Sequence, residues 1–500
     1  MIFTSVSEIS NKTELAFFRE QINVYIRLVE VYCEKNGCSL TVNNDTPVIE
    51  ELIRIGVIST DEEMRNLEET LGKDFERFIV SVRFVLENQE VLKGVVAKLS
   101  NFERKQMQEN ASDKMTLVDF FCGAGGLSLG FLQEGFNVKL ANDIEDVCIQ
   151  TYKYNHPELP SNRLIQGDIK QIVDNIEDFI DGDIDIVVGG PPCQGFSEAN
   201  RQRVIDDPRN KLYKYFIQAV EKIVPKFVVM ENVKGMLKVA NQVVEDYESL
   251  RIRKGDKEYS YKVAFQILNS QNFSVAQSRE RLIYIAIRSD VIEEQNITPQ
   301  DIFYQIEEAC KGNKKYILQD ALDDIKPLEA PRIKNMNEID SNITGKKIDV
   351  NHYDGNKNEY LALINMRRNI PFIFNHKARY LSDVNYEIYK RLNPGDDATD
   401  EKIADIMPYA HRNHCFKDKY YKLHADRACR TITAHLRMDC HSHIHPSQVR
   451  ALTPREAARV QSFPDDYLFW GAYLKTYMQV GNAVPPMMAR GIAAVIKKYL

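Results

Sequence analysis

Five hundred residues exceed what one ordinary hydrophobic core serves, so two to four domains are expected. Hydrophobic residues make up 44% and charged residues 27%, which excludes a mainly disordered chain, and no apolar run approaches the roughly 18 residues that span a bilayer. The net charge of −7 hides an uneven distribution, with 14 Lys/Arg against 20 Asp/Glu in residues 1–115 but eight basic against three acidic groups in residues 411–450, so local surfaces can still meet phosphate.

The start, MIFTSVSEIS, has no basic stretch followed by an apolar one, and the nine cysteines form no CxxC pair; a cytoplasmic, reducing setting with free thiols is expected. Residues 1–110 read as helices. Leu15 to Tyr32 has apolar positions at helical spacing, and Asp61 to Asn88 sets an acidic face against Phe75, Phe78 and Phe84. The polar stretch Gln106–Lys114 reads as a linker. From Thr116 the grammar becomes strand, glycine turn, helix. TLVDFF, NVKLAND, DIDIVVGG and KFVVMEN are buried-strand runs separated by helical stretches, which predicts an α/β layer fold on a parallel sheet. Between about 290 and 372 the pattern dissolves into sequence rich in Asn, Lys and Asp, and helical segments at Thr453–Gln461 and Val484–Leu500 close the chain.

Chemistry concentrates after the strands. Asp119-Phe120-Phe121-Cys122-Gly123-Ala124-Gly125-Gly126 joins a strand to a helix, where glycines let backbone approach a ligand. The full GxGxxG fingerprint is absent. Asp143 ends the next strand run, where a carboxylate can bind ribose hydroxyls, and Asp168 follows a third run. These features fit a nucleoside cofactor or, equally, a glycine turn that only packs a helix on a sheet. Pro191-Pro192-Cys193-Gln194-Gly195-Phe196-Ser197 is sharper: prolines and a glycine frame a thiol at a strand end, so a nucleophile is expected in preference to a structural cysteine. Glu231 and Asn232 end the following strand run, and alternation places Arg279 and Arg281 on one face ahead of LIYIAI.

In that order, VDFFCGAGG, GGPPCQGFS, ENVKGM, AQSRERLIYIA, RALTPREAARVQSFP and QVGNAVPP resemble the DNA (cytosine-5) methyltransferases of restriction-modification type, over roughly 116–288 and 373–499. The resemblance implies a Rossmann-like methyltransferase domain (115–288, completed by 450–500), a smaller irregular target-recognition domain (289–449) and a helical amino-terminal extension (1–114). It implies methylation of cytosine C5 within a specific double-stranded DNA sequence, with S-adenosylmethionine as cofactor and a base flipped from the helix. Cys193 would attack C6, Glu231 would engage N3, Asn232 would shape the pocket, and Arg279 and Arg281 would hold the base carbonyl, the Cys193 loop or a phosphate. Phe121, Gly123, Gly125, Asp143, Ile144, Asp168, Pro192, Leu212 and Asn482 would form the cofactor site. Asp143 stands where the family often has a longer glutamate. Cys122 reads as a small packing residue. A paired restriction endonuclease is the further implied partner, with no membrane.

The histidines between His411 and His445 have no properly partnered metal spacing, so no metal is expected; a cationic, DNA-facing surface is. Two alternatives share the fold: a tRNA cytosine-5 methyltransferase and a catalytically silent DNA-binding regulator. Lys234-Gly235-Met236 after ENV, and about 160 residues before LTPREAA, argue against the first; an intact Cys193, Glu231, Arg279 and Arg281 set argues against the second. A nicotinamide oxidoreductase would leave PPCQG unexplained.

Overall fold

The computed structural model describes residues 2–110, 115–192, 212–334, 339–356, 358–408 and 419–500. Eleven strands occur among them: β1 (Met115–Phe120), β2 (Phe136–Asp143), β3 (Leu164–Gln166), β4 (Ile186–Gly189), β5 (Phe227–Val233), β6 (Ile252–Lys254), β7 (Lys257–Tyr259), β8 (Tyr261–Asn269), β9 (Glu280–Arg288), β10 (Gly345–Val350) and β11 (Phe372–Lys377). Seven form one sheet in the order β3-β2-β1-β4-β5-β9-β8. The central strands β1, β2, β4 and β5 are almost wholly buried, as a parallel sheet covered on both faces requires.

The expected parallel sheet carries one reversal: β9 runs antiparallel to both β5 and β8. Only residues 270–279 separate β8 from β9, too few for a crossover helix. Because β2 and β4 flank β1 on opposite sides, the chain changes direction of winding there, and a crevice opens at the carboxyl ends of β1 and β4. The last long helix, Pro486–Ile496, returns to this layer and packs on Gly126–Gln133; a Cβ at Gly130 would collide with Pro486 and Ala489.

The amino-terminal helices include Lys12–Asn36, capped by the Asn11 side chain and stopped by Gly37 at φ 64°. Helical Asp61–Asn88 is interrupted at Gly72, and Gln106–Glu109 is not a linker but the end of the helix Asn101–Glu109. That helix is held by buried Arg104, which donates to the carbonyls of Lys98 (3.2 Å) and Lys153 (2.6 Å). The extension shares a core with Phe372, Phe374, Leu468 and Trp470, with Phe17 edge-on to Trp470 at 5.3 Å. Arg27 and Lys35 donate to the carbonyls of Ile348 and Asn351. The sequence between 290 and 372 is more regular than its composition suggests. It holds the helix Pro299–Cys310, started by a reciprocal Thr298–Asp301 capping box, and β10, paired with β11. Among the described residues no helix is long and apolar enough to cross a membrane.

Candidate active site

The loop after β1 turns on Phe121 (φ 56°) and Gly123 (φ 52°). At Gly123 a Cβ would meet nothing within 4 Å, so this glycine serves the turn and borders open space. Gly125 differs: a Cβ there would strike His156 and Tyr467. The Tyr467 hydroxyl donates to the Ala124 carbonyl, and His156 Nε2 lies 3.0 Å from that hydroxyl. Gly123 N donates to Asp143 Oδ2 (2.9 Å) and Glu145 N to Asp143 Oδ1 (2.8 Å). Burial raises the Asp143 pKa against the pull of these amides. Each of its oxygens accepts one of these bonds among the described residues, and a carboxylate oxygen can accept two. Next to it, Ile144 is 68% exposed, an apolar side chain left uncovered. Asp168 is exposed and caps the following helix through Lys170 N (2.9 Å). Leu212 begins the helix Leu212–Ile223, and Asn482 is exposed at the end of Tyr473–Asn482.

Beneath the loop lies Asp119, outside the expected set of site residues although its sequence signal is plain: one carboxyl inside an apolar strand. Ser128 donates to its Oδ2, Tyr152 donates to Ser128 (2.7 Å), and Oδ1 has no partner among the described residues. Burial pushes its pKa up to about 7. Cys122 is buried and its thiol pKa is driven far upward by burial, which leaves it inert as a nucleophile.

At the neighbouring strand ends, Glu231 is 9% exposed and its Oε1 lies 2.7 Å from Arg281 Nε. A Cβ at Gly190 would stand 3.1 Å from Glu231 Oε2, so the glycine keeps that side of the carboxylate open. Asn232 Nδ2 donates to the Pro191 carbonyl (2.9 Å), pinning the root of the proline loop beside Glu231. Pro192 is exposed; Cys193 follows it and lies outside the described residues. The structure thus groups Phe121, Gly123, Asp143, Ile144, Asp168 and Pro192 along the carboxyl edge of β1–β4, with the Glu231–Arg281 pair at the end of β5. Arg279 takes a different course: its Nη1 and Nη2 donate to the carbonyls of Ile432 (2.6 Å) and Gly481 (3.1 Å).

Residues 115–498 match the C-5 cytosine-specific DNA methylase family. The chain belongs to this family and is a DNA (cytosine-5) methyltransferase. It is 31% identical over 411 residues to the type II methyltransferase M.DdeI of Desulfomicrobium norvegicum, covering 77% of this chain and 89% of the relative. With M.FnuDI of Fusobacterium nucleatum the identity is 32% over 389 residues, covering 77% and 95%. A solved structure described as a DNA modification methyltransferase encoded within an E. coli prophage superposes with a TM-score of 0.56 at 24% identity, covering 77% and 99%; it shares the fold.

Three histidines of this methylase, His441, His443 and His445, are packed inside rather than displayed on the expected cationic surface, whereas His435 is exposed. His441 stacks on Tyr420 and bonds Tyr389, His445 Nδ1 accepts from Ser447 N and Gln448 N, and His443 is 2% exposed. Burial pushes His441 and His445 down to about 4, so both are neutral near pH 7. His411 and His414 lie outside the described residues. Among the described residues no group of three metal-ligating side chains comes together.

Proposed function

We propose that this methylase transfers a methyl group to C5 of one cytosine within a specific double-stranded DNA sequence, with the base flipped into the crevice and Cys193 as nucleophile. The observation that carries the reading is the Glu231–Arg281 pair, 2.7 Å apart at the end of β5, beside the pinned root of the loop that leads to Cys193.

A glycine bordering open space, a carboxylate with lone pairs to spare and the uncovered face of Ile144 suit the polar and aromatic halves of a nucleoside. S-adenosylmethionine, when bound, supplies an electrophilic methyl on sulfur. Phe121, Gly123, Gly125, Asp143, Ile144, Asp168, Pro192, Leu212 and Asn482 are the residues assigned to hold it. The remaining chemistry belongs to the chain. Cytosine C5 is a weak nucleophile until the Cys193 thiolate adds to C6, moving the ring electrons toward C5 and N3. Glu231 gives its carboxyl proton to N3, neutralising that charge, and Arg281 fixes the carboxyl group's direction. After C5 is methylated, loss of its proton and expulsion of the thiolate restore the aromatic ring. The type II names of the relatives support a place in a restriction-modification system with a paired endonuclease.

A duplex carrying 5-fluorocytosine at the target tests the mechanism, because fluorine replaces the proton that must leave. A covalent adduct stable to denaturing electrophoresis is expected, mapping to Pro191-Pro192-Cys193-Gln194, retained in Cys122→Ala and lost in Cys193→Ala. An adduct that survives Cys193→Ala would falsify the assignment of the nucleophile.

A further inference from the structure

The segment Ala276–Arg281 is tied to three distant parts of the chain. Its backbone pairs with the target-recognition segment, through Cys429 N to the Ala276 carbonyl and Ser278 N to the Cys429 carbonyl, both 2.9 Å. Its side chains then grip a single residue at both polar ends. Gln277 Oε1 accepts from Ile432 N at 2.6 Å, and Arg279 Nη1 donates to the Ile432 carbonyl at 2.6 Å. Gln277 Nε2 donates to Gln461 Oε1 (3.0 Å), Gln461 donates to the Val480 carbonyl, and Arg279 Nη2 reaches the Gly481 carbonyl. A Cβ at Gly481 would overlap the backbone of Thr433 and Ala434, so the two segments touch there.

Gln277 and Arg279 are 0% and 1% exposed. Burying a guanidinium among carbonyls carries a desolvation cost that an apolar side chain of similar size would avoid. What it adds is direction, since a planar fork bonds two segments at set angles. Two residues further on, Arg281 holds Glu231; one residue beyond Gly481 stands Asn482. On the other side of Ile432, Arg379 donates to the carbonyls of Leu436, Arg437 and Met438, stiffening a turn whose His435, Arg437 and Met438 side chains are exposed.

We propose that Gln277 and Arg279 are positioning residues that couple DNA reading to catalysis: they lock the 429–438 segment in register with the Glu231–Arg281 pair, so that a correctly seated sequence aligns the base with the carboxylate. The proposal rests on the functional reading above. A small misalignment of reacting groups costs rate more than binding.

The test uses the full-length enzyme and the target site found by bisulfite sequencing of DNA it has methylated. Single-turnover rates are compared on that site and on sites differing by one base pair. Gln277→Met keeps the volume and removes both side-chain bonds. On the correct site its rate is expected to fall roughly 10- to 100-fold, with a smaller fall on the altered sites, so that discrimination narrows. Arg279→Lys keeps charge but cannot span both carbonyls; it should shift the ratio the same way, and it replaces Gln277→Met if that variant does not fold. Unchanged rates, or equal losses on all sites with the ratio intact, would overturn the proposal in favour of a purely structural role. Glu231→Gln separates the two readings: full activity in that variant sinks the functional reading itself, whereas its loss alongside intact discrimination in Gln277→Met sinks only the coupling.

Discussion

Two polar regions of this methylase are built to opposite rules. In the segment Arg450–Asp466 charges are buried and saturated. Arg450 makes a two-pronged pair with Glu456 (2.7 and 2.6 Å), Arg459 makes another with Asp465 (2.7 and 2.9 Å), and Arg455 donates to the carbonyls of Phe374, Pro464 and Tyr467. Burial alone would raise the Glu456 pKa, but the Arg450 guanidinium overrides it and holds the carboxyl well below its usual range. At the strand ends, by contrast, Asp143, Asp168 and Glu231 keep unshared lone pairs among the described residues. Saturated polar groups hold a shape; unsaturated ones at a strand end remain available to a substrate.

The contrast can be broken from either side. Glu231→Gln should lower methyl transfer by about 10²–10⁴-fold while the melting temperature barely moves, since the amide oxygen of the variant can still accept from Arg281. An equal loss of stability would mean the pair is structural. Arg459→Ala should do the reverse, costing roughly 3–5 kcal/mol by stranding the buried Asp465 carboxylate. Calorimetric unfolding measures this, and pairing the change with Asp465→Asn, which removes the charge but keeps an acceptor for the Asn351 and Asn365 amides, should recover part of the loss; no recovery would show that the fork, not the charge, matters.

The remaining effect is on acid stability. His376, His441 and His445 are pushed down to about 4 by burial, below their ordinary 6.5. They stay neutral in the fold while the unfolded chain takes up protons, so their contribution is complete above pH 6.5 and is lost as pH falls toward 4. Each is worth about 1.4 kcal/mol per pH unit in that window. Asp119, pushed up to about 7, works in the opposite sense, because its native carboxyl binds a proton the unfolded chain has released. Asp143, also raised by burial, acts with Asp119, and three histidines against two carboxyls leave a net fall in melting temperature from about pH 6.5 to about pH 4.5. A flat profile would mean the histidines are hydrated, and His441→Gln should flatten it partly.

Much of the catalytic layer is legible in the chain because its signals are local. A short apolar run ending in glycines, such as IVVGG within DIDIVVGG, has few folds open to it, and a thiol framed by two prolines and a glycine has few bland uses. The strand β8 escaped such reading, since YKVAFQILN mixes exposed and buried positions at the edge of the sheet. The histidine-rich stretch divides for a related reason: composition does not record burial, which keeps His441 and His445 neutral while His435 and Arg437 stay exposed.

By itself, then, the sequence determined which residues could do chemistry: the strand-end carboxylates Asp143 and Glu231, the PPC thiol and the glycine turn, all within motifs whose residue types have short-range causes. Only the tertiary structure decided how they are used. It separated two arginines that stand two positions apart, giving Arg281 to Glu231 and Arg279 to the carbonyls of Ile432 and Gly481. It also turned an acidic amino-terminal extension into a wall of the core around Trp470. The physical reason is the same in each case: a side chain's partner in a folded chain is chosen by what burial brings within about 3 Å, over sequence separations that no local pattern records.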